Sequence, residues 1–548
     1  MMHPLLVAIW APILAGLVIW FLPRRAAIVA KVAGCLVALF VAVWSVLVWA
    51  GGGVLTGGAA FGQVVIPKWA VMGSWAGRPL FMADAMSGFA GAAAGVLGFL
   101  MVLYAAGFSK EDETPARRLY SGMLIAIGAA LGTLYAENII VLGIFWGLIG
   151  IPFFLLLAMG GKEAVAASKK AFIIVGGTDS LLILGLAIVW FLSGGRMALH
   201  ALGPRIVTGV GQLAPVGYVC LFLAAAAKAG AIPLHSWIPD AASTAPVPAV
   251  ALLPAELDKV LGIYLLARIS LTIFDTTGYV ATLVMVIGAV TVLAAVFMAL
   301  IQHDLRRLLG FHAVSQVGYM VLGIGTGTFV GIAGGIFHML NHAIYKSCLF
   351  LTAGSAERKA GTGDLGRMGG LARALPFTFL SASVAALAIS GVPPLNGFVS
   401  KWMVYQGVVE TGRGGGWLWV ILLAAATFGS ALTLASFVKV IYSVYLARPA
   451  EEDKKPSGPG ENILTIIPMA ALALACVVFG VVAYRLPLNG AIFPAVEGEG
   501  VTGTAAWAGF WRPTLATVLI LVGIVAGFAI YVFGTALKPR EDDAYTGG

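Results

Sequence analysis

Charge is what this sequence has least of. Only 10% of its 548 residues are Asp, Glu, Lys or Arg, far below the share in ordinary soluble domains. No separate solvated domain fits between its apolar runs. Cysteine is also scarce: Cys35, Cys220, Cys348 and Cys476 each fall inside an apolar run, with no paired spacing. That excludes iron–sulfur, zinc and haem-attachment patterns and leaves buried apolar thiols. No Walker loop or dinucleotide fingerprint appears either. The chain therefore offers no catalytic site and no cofactor site of its own.

What it has is length of apolar sequence. Hydrophobic residues make up 60%, and the mean hydropathy is +0.99. Runs of at least about 18 apolar residues, enough to cross a bilayer, recur throughout. They cover 4–22, 28–50, 82–107, 118–136, 138–159, 170–192, 214–234, 247–272, 279–301, 308–327, 330–354, 374–411 (interrupted), 416–446, 463–484 and 513–535. The fold expected is an all-α polytopic membrane protein of about fifteen transmembrane helices. Arg24 and Arg25 follow the first run, and no small-residue cleavage site is evident, so it does not read as a removable signal.

The formal net charge of +9 is explained by where the cations lie. Alternate connections hold Arg24 and Arg25, Lys110 with Arg117 and Arg118, Lys162 with Lys169 and Lys170, Arg306 and Arg307, Arg358 through Arg373, and Lys454 and Lys455. The tail adds Lys538 and Arg540, whereas the opposite connections carry only scattered cations such as Lys68, Arg78, Arg196, Arg205 and Arg413. The positive-inside rule then puts the N-terminus outside and the C-terminus in the cytoplasm, in the cell's inner (cytoplasmic) membrane. The basic balance is a topology signal and not a nucleic-acid one.

Polar residues divide the chain further. Residues 1–117 hold N-terminal helices with almost no interior charge apart from Asp84. Residues 118–278 and 279–446 each hold five helices, and 447–548 hold anchor helices joined by a loop whose Glu497 and Glu499 read as solvated. An odd helix count inverts one five-helix unit relative to the next, the plan of many transporters. In both units the fourth helix is broken by proline, at Ile232-Pro233 just after Lys228 and at Pro393-Pro394 just before Lys401. Proline removes a backbone donor, and freed backbone at that depth needs protein or cavity water beside it.

Lys228, Lys259, Lys346 and Lys401 all sit inside these spans or at their breaks. A charge at the bilayer centre costs at least about 2.5–3.5 kcal/mol unless it faces protein or water. Asp179 lies nearly three turns into its helix, and Glu137 lies at a helix boundary. Glu256, Asp258 and Lys259 crowd one turn, where Glu256 and Lys259 are spaced to pair on one helix face. His338, His342 and Lys346 are spaced by four, a stripe of roughly 12 Å whose histidines titrate near neutrality. His312, Ser315, Gln316 and Tyr319 follow helical spacing on the preceding helix. Lys439 is placed to snorkel towards the inner surface.

These passages resemble the antiporter-like membrane subunits of respiratory complex I, of Mrp-type cation/proton antiporters and of energy-converting hydrogenases. The matching stretches are Lys228-Ala-Gly-Ala-Ile-Pro-Leu-His-Ser-Trp-Ile-Pro-Asp240, Ser315-Gln-Val-Gly-Tyr319, His338-Met-Leu-Asn-His-Ala-Ile-Tyr-Lys346 and Ser390-Gly-Val-Pro-Pro-Leu-Asn-Gly-Phe398. The resemblance covers about residues 80–450, the whole of both five-helix units. It implies places for Lys228, Lys259, Lys346 and Lys401 on a proton-translocation line, to which the stripe spacing adds His338 and His342, with Asp179, resembling an acid of the family, and Glu256 as candidate acids. The family usually carries a glutamate beside a tryptophan in the fifth helix, paired with the first lysine. Here the passage reads Phe145-Trp146-Gly147-Leu148, so Gly147 stands where that acid is expected.

The function implied is a proton-translocating subunit of a multisubunit redox-driven complex, of complex I or hydrogenase type. The alternatives are a sodium/proton antiporter of Mrp type and a non-conducting structural subunit, the latter because of Gly147. Partners implied are other membrane subunits, the lipid bilayer and protons or Na+. Redox cofactors of a quinone-reductase or hydrogenase reaction are expected in those partner subunits. The chain also ends soon after its last apolar run, without the long lateral helix of the largest complex I subunit.

Overall fold

The structure is a computed structural model that describes residues 3–51, 79–110, 115–202, 213–276, 278–448 and 458–501. It also describes 64–65, 206–207, 503, 518, 522, 525, 526 and 529. The apolar run at 513–535 and the cations Lys68, Arg78, Arg205, Lys454, Lys455, Lys538 and Arg540 lie outside these residues, isolated positions of the run excepted.

The chain is a bundle of helices: α1 (Pro4–Trp20), α2 (Ala27–Gly51), α3 (Ala85–Phe108), α4 (Ala116–Leu134), α5 (Ile139–Leu148), α6 (Gly150–Leu157) and α7 (Lys162–Leu192). Next come α8 (Leu213–Ala229), α9 (Trp237–Thr244), α10 (Val247–Leu252), α11 (Asp258–Arg268), α12 (Tyr279–Leu300), α13 (Leu305–Gly325) and α14 (Phe329–Ala360). The series closes with α15 (Pro376–Ser390), α16 (Asn396–Thr411), α17 (Leu418–Ile441), α18 (Ile463–Val481) and α19 (Phe493–Gly498). Among the described residues, eight helices are long and apolar enough to cross a membrane, and α1, α8 and α15 are apolar but shorter. The protein is membrane-embedded and multi-pass. The difference from the fifteen apolar runs has physical causes. Breaks cut two spans short, and α14, although 32 residues long, carries two histidines, an asparagine and a lysine that lower its hydropathy.

The two breaks are built alike. α8 ends at Gly230 (φ 82°) and α15 at Gly391 (φ 81°), left-handed conformations that glycine adopts without a Cβ penalty. A cis prolyl bond follows each, at Ile232–Pro233 and Pro393–Pro394. Side chains then pin the chain across each gap. At the first, Trp237 Nε1 donates to Ala227 O at 3.0 Å and Ile232 N donates to Thr291 Oγ1 at 3.2 Å. At the second, Asn341 and Asn396 exchange hydrogen bonds of 3.0 Å. The polar backbone freed by proline is thus held by neighbouring helices.

α14 runs through the middle, in contact with α13, α15, α16 and α18 and also with α10 and α11. α11 packs closely on α8: a Cβ at Gly262 would stand 2.7 Å from Ala225 O and 2.5 Å from Ala229 N. Small residues permit that approach.

At one end of the bundle the acidic segment departs from its sequence reading. Glu497 is exposed, but Glu499 is not the solvated acid expected. It pairs with Arg268 and accepts from Thr272 Oγ1, and Arg268 also holds Asp84 at 2.5 Å. A guanidinium only 6% exposed needs carboxylate partners, and burial of that charge draws Glu499 in.

Candidate functional site

Each of the four lysines is buried: Lys228 is 1% exposed, Lys259 and Lys346 are 0%, and Lys401 is 2%. None faces lipid. Lys228 stands at the end of α8, where its Nζ donates to Trp146 O at 3.4 Å and lies 4.3 Å from the Trp146 ring centroid. Trp146 Nε1 in turn donates to Asp179 Oδ1 at 2.8 Å. Asp179 is half-buried on α7 and lines, with Lys228 and Gly147, a cavity of about 510 Å3. A Cβ added at Gly147 would meet no described atom within 4 Å.

The acids whose charge reaches Lys228 are Asp258 and Asp179. Asp258 opens α11 one turn before Gly262, on the face that packs on α8, and its charge reaches both Lys228 and Lys259. Lys259 Nζ lies beside the first break, 3.3 Å from the position of a Cβ on Gly230, and 5.4 Å from the Trp237 ring.

The pairing of Glu256 with Lys259 that their spacing suggests is not formed. Residues Leu253–Leu257 make a π-helical turn, so the three-residue spacing no longer puts the two on one face. Both Glu256 carboxylate oxygens are buried with no hydrogen-bond partner among the described residues. Asp258, which the spacing did not single out, is the acid whose charge reaches both lysines.

α14 carries the line onward. His342 is fully buried and its electrostatic neighbours are Lys346, Lys259 and His338. The charges of the lysine of α11 and of that on its own helix therefore both reach it. Lys346 Nζ donates to Leu309 O at 3.0 Å. His312 on α13 shares a 2.7 Å hydrogen bond with Ser436 Oγ and lies in the fields of Lys346 and Lys401. His338 Nδ1 is 2.8 Å from Ser400 Oγ, next to Lys401 in sequence, and its Nε2 is 3.3 Å from Gln316 Oε1. Lys401 Nζ lies 4.7 Å from the Tyr319 ring centroid and donates to Ile389 O at 2.8 Å. The Tyr319 hydroxyl lies 2.8 Å from Ser430 Oγ, which is also 2.6 Å from the Tyr405 hydroxyl.

Other titratable side chains do different work. Glu137 is buried and pairs with His200 at a loop junction. Asp240 joins Lys170 at 2.7 Å and Arg307 at 3.1 Å, tying α7, α9 and α13. Lys439 Nζ donates to Leu300 O and Gln302 O at the end of α12. Among the described residues no group of His, Cys, Asp and Glu could hold a metal ion.

Residues 136–433 match the family described as NADH:quinone oxidoreductase/Mrp antiporter, transmembrane. The chain belongs to that family. It is 29% identical to the Na(+)/H(+) antiporter subunit A1 of Staphylococcus haemolyticus over 70% of this chain, and spans 50% of that relative's length. It is 30% identical to NADH-quinone oxidoreductase subunit N of Desulforudis audaxviator over 71% of this chain and 81% of that one. The chain thus spans about half the length of the antiporter subunit it matches. Its fold is that of a chain in the Mrp complex from Dietzia sp., with a TM-score of 0.78 at 22% identity, covering 92% of this chain and 99% of that one.

Proposed function

We propose that this antiporter-like subunit moves protons through the membrane along the line Asp179, Lys228, Asp258, Lys259, His342, Lys346, His312, His338 and Lys401. The observation that carries this reading is the succession of buried or half-buried titratable groups, linked from Asp179 to Lys346 each within the field of the next, with His312 in the fields of Lys346 and Lys401 and His338 in that of Lys401. Purely structural charges would be paired off or expelled. Here Lys259 Nζ, Asp258 Oδ2 and one amide nitrogen of Gln316 are buried without a hydrogen-bond partner among the described residues. Buried polar groups of this kind are normally satisfied by ordered water, which would complete the path between side chains.

Two features support stepwise movement. Lys259 lies close enough to Lys346 for their charges to repel, so protonating one disfavours protonating the other. His342 lies in the fields of both, and its imidazole is a group that can accept and release a proton. The five-helix units 118–278 and 279–446, inverted relative to each other, would then each supply half of the path, joined through α14. We place the N-terminus outside and the C-terminus in the cytoplasm, from the distribution of Lys and Arg.

The subunit would work within a multisubunit membrane complex of the complex I or hydrogenase type, whose redox cofactors lie in partner chains. A non-conducting role, which Gly147 suggests, is disfavoured because the charges of Asp258 and Asp179 both reach Lys228. Exchange of Na+ for protons is the second reading, favoured by the match to a sodium/proton antiporter subunit.

The test uses the purified complex in vesicles with a trapped pH dye and an imposed diffusion potential. Lys228→Ala and Lys346→Ala should each abolish proton flux while the complex assembles in normal amount. Undiminished flux in either variant would refute the assignment. Flux that requires Na+ on the opposite side would support the second reading.

A further inference from the structure

Trp146 touches both members of the Asp179–Lys228 pair, and does so with three different parts of one residue. Its indole N–H donates to Asp179 Oδ1 at 2.8 Å. Its ring face lies 4.3 Å from Lys228 Nζ, and its carbonyl accepts from the same ammonium at 3.4 Å. Trp146 is 1% exposed and Lys228 likewise 1%, so the contacts to the ammonium are shielded from bulk water.

The chemistry of each contact selects a charge state. An indole can donate but not accept, so it favours the ionised carboxylate. A ring face and a carbonyl oxygen favour an ammonium over an amine, the ring contributing about 0.5–2 kcal/mol when desolvated. The need for such a residue follows from position 147. With glycine there, α5 supplies no acid, and the counter-charges reach Lys228 from Asp258 on α11 and from Asp179 on α7. The space beside Gly147 stays open, within the cavity that Gly150, Phe172, Gly177 and Asp179 help to line. An acid on a separate helix, half-buried at the edge of a cavity, has several rotamers to choose from unless something holds it.

We propose that Trp146 is the positioning residue of this pair, holding the acid by its indole N–H and the ammonium by its ring face and carbonyl. The pair is thereby stabilised as one unit in its charged form. Removing the N–H alone loosens the acid; removing the ring loosens both ends. This inference rests on the proton-carrying role of Lys228 proposed above.

Two substitutions separate the contacts. Trp146→Phe keeps an aromatic face and loses the donor; Trp146→Leu loses both. Proton flux through the purified complex in vesicles is measured from acid to alkaline pH. Trp146→Phe should lower flux roughly tenfold, the order expected from losing a charge-assisted hydrogen bond, with the loss concentrated on the acid side of the profile. Trp146→Leu should lose flux on both sides and narrow the profile. Adding Asp179→Asn to Trp146→Phe should abolish the remaining flux, and adding Trp146→Phe to Asp179→Asn should change little, because the carboxylate that the indole holds is already gone.

A uniform fall in flux with an unchanged profile would mean that Trp146 only packs, and would overturn the proposal. So would a Trp146→Phe variant that behaves as the parent while Lys228→Ala is inactive. If Lys228→Ala is itself fully active, the underlying reading has failed, whatever Trp146 does. Trp146→Phe is close enough in shape to keep the test valid should the leucine variant not assemble.

Discussion

Lys401 Nζ donates to Ile389 O at 2.8 Å, taking the place of the helical donor that Pro393, four residues on, cannot supply. The side chain thus completes the backbone of the second break as well as standing on the proposed path. The two roles separate in substitutions. Lys401→Ala leaves a buried carbonyl unsatisfied and should destabilise the protein by about 1–3 kcal/mol, with proton flux lost. Lys401→Arg keeps a donor and a charge but does not release its proton at any accessible pH. It should hold the thermal midpoint near that of the parent and still lose flux. Arg at 401 with full flux would show that this position does not titrate during transport.

The acids rank differently in the structure than in the sequence. Asp179→Asn should resemble Lys228→Ala in vesicle flux, and combining the two should add little. Asp258→Asn should slow flux by at least about tenfold, since it removes a carboxylate whose charge reaches both Lys228 and Lys259. Glu256→Gln should stay within about twofold of the parent, because its carboxylate contacts no lysine. Full flux in both Asp179→Asn and Asp258→Asn would favour a mechanism that needs no paired acid.

Gly391 gives a local test of how the break seats its lysine. At φ 81° a Cβ would also lie 3.1 Å from Lys401 Cδ. Gly391→Ala should therefore cost about 1–2 kcal/mol in backbone strain and displace Lys401, lowering flux as well as the thermal midpoint. Gly415 is the control: it has φ 89° with no described atom within 4 Å of a Cβ. Gly415→Ala should lower the midpoint by a similar strain and leave flux unchanged. Equal flux in the two variants would separate Lys401 from the glycine beside it.

Arg268 links three distant parts of the chain. Arg268→Met leaves Asp84 and Glu499 facing each other without a cation, a loss of about 3–5 kcal/mol for a buried pair. A lower yield of intact complex and a lower unfolding temperature would be measured. Adding Asp84→Asn and Glu499→Gln to Arg268→Met should restore much of that loss. No recovery would mean that the arginine acts through packing and not through charge.

Much of this site is legible in the sequence because charge is so rare there. A lysine inside an apolar run is visible without alignment, and so is proline beside it, which is why Lys228 and Lys401 and their breaks stand out. The histidine stripe of α14 is equally plain at a spacing of four. What periodicity misreads is the turn at 253–257. Helical spacing presumes 3.6 residues per turn, and a π-helical turn there shifts the faces so that Asp258, not Glu256, meets the lysines. Trp146 is missed for another reason: its contacts on α7 and α8 are 33 and 82 residues away, and an apolar tryptophan in an apolar helix carries no signal of its own. The same distance hides the partners of Arg268.

Those distances have a consequence for how the protein is made. Asp84 precedes Arg268 by 184 residues and Glu499 follows it by 231. During synthesis the arginine therefore enters the bundle with one carboxylate at hand and waits for the second until the segment near residue 499 has left the ribosome and docked. With one of its two carboxylate contacts still to be made, the buried guanidinium is less fully hydrogen-bonded before that moment than after it. A chain interrupted after α18 would hold all of the proposed proton path and yet keep a buried, under-paired guanidinium, a mark by which membrane quality control could tell it from the finished protein.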